Sequence, residues 1–162
     1  MQAPMRAALI TIAVVATGAT ALAASYPTPE PDALAKPFTG KPASAGWYGR
    51  WRVSGGLDDG IVWRILPTKS AACAAITAGR TSCFIIQPPG VDEVWAGAIT
   101  LKGARVVLRM TYRPRPNTLG CFADDAYTYK RTTRRISILK GSSHSCFWEP
   151  SGHFPVILKR VG

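Results

Sequence analysis

Acidic residues and histidines are scarce in this chain. Nine Asp and Glu stand against twenty Lys and Arg, and there are two histidines, His144 and His153. That shortage removes most routes to acid–base chemistry. A catalytic triad needs a base oriented by an acid, and Glu149 is the one acid near either histidine. Ser142, Ser143, Ser145 and Ser151 lie close by, but none stands in a G-x-S-x-G elbow. Asp58-Asp59 and Asp124-Asp125 are adjacent pairs. Neighbouring side chains on an extended chain point to opposite faces, so neither pair works as acid and base. Each sits in turn-like sequence with too few oxygen ligands nearby for calcium. There is no glycine-rich phosphate loop, no C-x-x-C and no H-x-x-x-H. The sequence therefore nominates no catalytic residue, no cofactor and no metal ligand set.

Beyond residue 24 no long apolar run occurs, which leaves the remainder without a membrane-spanning segment. The first 24 residues differ. Arg6 is their only charge, Ala7 to Ala24 are apolar or small, and the stretch ends Ala21-Leu22-Ala23-Ala24. A basic start, an apolar middle and a small-x-small end make a secretory signal, with cleavage near Ala23 or Ala24. The expected product is periplasmic or secreted, with nineteen basic against nine acidic residues.

Export gives the four cysteines a meaning. Cys73, Cys83, Cys121 and Cys146 read as two disulfides in an oxidising compartment. Three pairings are open; Cys73–Cys83 with Cys121–Cys146 closes the shorter loops. Residues 25–45 carry Pro27, Pro29, Pro31, Pro37 and Pro42 and read as an extended linker. Residues 46–162 form one domain.

Within it the hydrophobic period is mostly two. Trp47, Gly49, Trp51 and Val53 alternate with Tyr48, Arg50, Arg52 and Ser54; Ile61, Trp63 and Ile65 alternate with Val62, Arg64 and Leu66. With glycine-rich sequence between them, these two runs make a hairpin. Ser70 to Gly79 is the one helix, capped by Ser70 and ended by Gly79. Strands follow at 81–87 and 93–102. In the next, Val106, Leu108, Met110 and Tyr112 face in and Arg105, Arg109 and Arg113 face out. Residues 126–139 read as one strand bent near Thr132-Thr133, and 154–160 as the closing strand. The fold class is all-β and mainly antiparallel: a small seven- to eight-stranded barrel or sandwich with one short helix.

Gly49-Arg50-Trp51 at the head of the first strand resembles the G-x-W of the lipocalin and calycin superfamily, which includes bacterial inhibitors of secreted proteases. The resemblance implies an eight-stranded up-and-down barrel, with Trp51 plugging its floor and Arg160 packed over it. It also implies a second function, protease inhibition, in which an extended N-terminal arm enters the active-site cleft.

The positive charge points elsewhere. Ten basic residues lie between Lys102 and Lys140, opposed only by Asp124 and Asp125. Arg105, Arg109 and Arg113 recur at steps of four, about 13 Å apart on a strand. Arg131 and Arg135 extend the same face if the next strand pairs alongside. Arginines interleaved with Tyr112, Tyr127 and Tyr129 suit phosphate, sulfate or carboxylate groups. The first reading is thus a non-enzymatic binding module for an envelope glycolipid, an acidic polysaccharide or an acidic protein. Export disfavours nucleic acid, and a structural subunit of an envelope assembly is a third possibility.

Overall fold

The structure, a computed structural model, describes residues 26–55, 59–88, 90, 94–112, 122–139 and 155–162. In chain order the elements are a helical turn α1 (Pro31–Ala35), β1 (Lys41–Pro42), a 3-10 turn (Ala45–Trp47), β2 (Gly49–Val53) and β3 (Val62–Leu66). There follow α2 (Ala71–Thr77), β4 (Cys83–Gln87), β5 (Trp95–Lys102) and β6 (Arg105–Tyr112). The last three are β7 (Asp125–Arg131), β8 (Arg135–Ile138) and β9 (Val156–Val161). From β2 to β9 each strand pairs antiparallel with the next, and β9 returns to β2. The sheet therefore closes β2 to β9 into an eight-stranded up-and-down barrel, with β1 as one extra strand. The two-residue β1 continues the line of β4: Pro42 faces Thr100 and Lys41 faces Leu101, beyond the point where Cys83 faces Ala98.

Alternation decides which side chains fill the barrel. Trp51, Trp63, Phe84, Ile99, Leu108, Met110, Tyr127 and Ile136 point inward and are fully buried. An eight-stranded barrel is about wide enough for its own side chains, and here aromatics from β2, β3, β4 and β7 occupy the middle. Gly97 makes room for the Phe84 ring. A Cβ at that position would run into the ring and into the Arg109 carbonyl of the neighbouring strand.

Three local readings differ from the sequence expectation, each for a physical reason. The inward run of β6 ends at Met110, because Ala96 faces Tyr112 while Gly97 faces Met110. One extra residue there makes a bulge and turns Tyr112 outward, onto α2. The bend expected near Thr132 is a complete hairpin, with Thr132 N donating to the Arg135 carbonyl at 2.8 Å. And residues 26–45 are not a free linker. Pro31 stands in the first turn of α1, where its missing N–H costs nothing. The Glu30 amide donates to the Thr111 carbonyl, Ala33 is buried, Arg80 Nη1 holds the Leu34 carbonyl at 2.8 Å, and β1 adds to the sheet. The segment is a strap across the outer wall of β5 and β6.

The helix α2 forms as expected. Ser70 Oγ accepts from the Cys73 amide at 3.2 Å, and the chain leaves through Ala78 and Gly79, both in the left-handed region. Its inner residues Ala72, Cys73 and Ile76 cover Cys83, Ile85 and Ala96 on the barrel's outside. The Cys73–Cys83 disulfide fastens the helix there; Cys121 and Cys146 lie outside the described residues. A seven-residue helix is too short to hold itself. Replacing both Cys73 and Cys83 with Ala should therefore lower stability by about 2–3 kcal/mol, read as a smaller urea midpoint with a nearly unchanged slope. A variant as stable as the parent would show that packing alone seats α2.

Candidate anion-binding face

One end of the barrel is closed. The 3-10 turn folds under it, with Trp47 buried and its ring edge-on to Tyr129 at 4.8 Å. Trp51 Nε1 donates to the Trp47 carbonyl at 2.7 Å. The Arg160 guanidinium lies over the Trp51 ring, 4.6 Å from its centroid. Its Nε donates to the Thr133 carbonyl at 3.1 Å and Nη2 to the Gly46 carbonyl at 3.2 Å. Gly49 has φ +127° beside that guanidinium, so a side chain there would be both strained and crowded. The floor is thus a stacked cation held by backbone carbonyls, a fixed arrangement that covers the core.

The described ones among the cations nominated from sequence do not share one surface. Arg105 is exposed on β6, opposite Thr128. Arg109 is only 5% exposed. Its Nε donates to Asp124 Oδ1 at 2.5 Å, Nη1 to the Lys36 carbonyl at 2.7 Å, and Nη2 to the Pro37 carbonyl at 3.0 Å. Phe38 lies against its guanidinium at 4.8 Å. Its donors are spent on Asp124 and the strap, so Arg109 acts as a clasp. Arg131 has the inward parity of Tyr127 and Tyr129 and ends at the floor, where its guanidinium borders Gly46. Arg113 lies outside the described residues. Arg135 alone among these joins a larger cationic array, on a wall that sequence reasoning did not assemble.

That array runs across β8, β9, β2 and β3. Arg135 is directly opposite Lys159, and Lys159 is directly opposite Arg52. Two residues along β2, Arg50 is directly opposite Arg64 of β3. All five are exposed on the outer face. Directly opposed residues bring their Cβ atoms within about 5 Å, and like charges in such pairs are destabilising. The described residues of these four strands include no Asp or Glu. Arg135 Nε reaches Ser137 Oγ at 3.2 Å, a neutral partner. Alternation already marked Arg50, Arg52 and Arg64 as outward. What the sequence could not show is that the closing strand brings Lys159 between β2 and β8.

Comparison with protein-family models, with curated proteins and with solved structures finds no match.

The clasp makes a direct prediction. Arg109→Ala strips Asp124 of its buried partner and frees the carbonyls of Lys36 and Pro37. It should cost about 3 kcal/mol and speed proteolysis within residues 30–40. Unchanged stability and an uncut strap would rule out the clasp.

Proposed function

We propose that this chain is an exported, non-enzymatic binding module whose basic wall takes an anionic partner. One observation carries the reading: the Arg135–Lys159–Arg52 row and the Arg50–Arg64 pair are kept without a carboxylate among the described residues of their strands. A wall selected only for solubility would intersperse the signs, since each opposed pair of like charges costs a few tenths of a kcal/mol or more. Arginine and lysine held on rigid strands present donors to phosphate, sulfate or carboxylate groups with little ordering still to be done. In this reading the signal is removed near Ala23 or Ala24, and the partner is met in the periplasm or outside the cell.

The barrel itself we read as calycin-like, on the strength of the Gly49 backbone, the Trp51–Arg160 stack and the meander topology. Those features favour a second reading as an inhibitor of secreted proteases. Residues 30–42 are docked on the barrel, so an inhibitory arm would have to come from residues ahead of them. Full activity of such proteases in the presence of the intact protein would end that reading.

The basic-wall reading predicts opposite effects on binding and on stability. Arg52→Gln with Lys159→Gln should raise stability by about 0.5 kcal/mol by relieving repulsion. The same pair should weaken retention on dextran sulfate about tenfold, and added salt should weaken the parent steeply. Lys36→Gln, on the strap, should leave retention as it is. Retention indifferent to salt, or to the double substitution, would refute the basic-wall reading.

A further inference from the structure

Among the described residues the signs of charge separate along the barrel. The described carboxylates gather toward the end away from the floor. Glu30 opens the strap where it is tied to Thr111, near the end of β6, and Asp32 lies one turn on. Asp59 sits in the β2–β3 turn, where its Oδ1 accepts from the Gly55 amide at 2.7 Å. Asp124 and Asp125 stand at the head of β7. The opposite end is cationic. Arg134 is in the β7–β8 turn beside the floor, and its carbonyl accepts from the Arg160 amide at 2.9 Å. Arg135 heads β8, Arg50 lies near the start of β2 and Arg64 near the end of β3.

A globule with separated signs has a preferred orientation in the field of a charged plane. Shape selects among polyanions. The array spreads over four adjacent strands of a convex wall and reaches the floor at Arg134 and Arg135, and a convex face does not enclose a single flexible chain. The long side chains bend from the curved wall toward a plane on that side, so a layer of phosphates is approached by several of them together. Between the cations stand Val62, Ile157 and Val161, short and half-buried, and among the described residues of these strands no aromatic protrudes on that face. The contact is electrostatic and peripheral.

We infer that the partner is an anionic lipid surface, on which the barrel sits with its floor and its β8–β9–β2 wall toward the phosphates and its acidic end away. This rests on the basic-wall reading above and adds the class of partner and the orientation. Charged headgroups contribute by proximity, so each cation removed from the docking side costs about fivefold in partition.

The test is flotation of the full chain, signal removed, with vesicles of phosphatidylglycerol and phosphatidylcholine and with vesicles of phosphatidylcholine alone, alongside retention on dextran sulfate. Binding to the anionic vesicles alone, reversed by salt, is expected. Arg135→Gln with Lys159→Gln should lower it about 25-fold, two such steps, and relief of their repulsion keeps that variant folded. Asp32→Lys adds two units of charge at the acidic end and should change binding less than twofold. A gain from Asp32→Lys as large as the loss from the floor variant would mean net charge alone acts, and would overturn the orientation. Retention on dextran sulfate without vesicle binding would overturn the lipid partner and leave the basic-wall reading standing. Binding to neither would remove both.

Discussion

A closed eight-stranded barrel has to be filled, and most of this structure follows from how that is done. Trp51, Trp63, Phe84 and Tyr127 take the middle, Gly97 yields space to Phe84, and the Trp47 turn with Arg160 seals one end. Closure pairs each of the eight barrel strands on both sides, and the described inward positions are spent on the core. In the proposed reading, recognition falls to the outer wall, whose side chains point away from the core at every second residue.

The outer wall is divided. On the β4–β6 side it is covered: α2 and the Cys73–Cys83 bridge lie on β4 and β5, and the strap lies on β5 and β6 with Arg109 beneath it. The outward residues there are correspondingly buried, among them Ala98, Thr100, Val107 and Thr111. On the β8–β9–β2–β3 side the outward positions include five exposed cations. A buried guanidinium needs every donor met, and the strap supplies backbone carbonyls for Arg109. Two arginines, Arg109 and Arg80, are consumed in building the covered side, while five basic residues stand on the other.

Much of this was legible in the chain, and the misses have a common cause. The β2–β3 hairpin, the Ser70 cap and the inward face of β6 as far as Met110 are local patterns, and the barrel has them where the residues place them. The failures are long-range. Nothing near Arg109 announces that the strap will bury it, because its partners are backbone carbonyls from the proline-rich segment. Thr132-Thr133-Arg134 turns a hairpin without glycine, proline or asparagine, so its sequence reads as a bend. A single bulge at the end of β6 moves Tyr112 to the other face. The basic wall depends on Lys159 arriving between Arg52 and Arg135, which only closure of the barrel decides.

The central claim is that the interior is structural and the β8–β9–β2–β3 wall is the working surface. Amide and indole NMR signals followed during titration with an anionic probe such as inositol hexakisphosphate test it most directly. The account predicts shifts confined to the amides around Arg52, Arg64, Arg135 and Lys159, with the Trp51 and Trp63 indole signals unmoved. Shifts centred on the two indoles, with the wall silent, would contradict it and place the ligand inside the barrel.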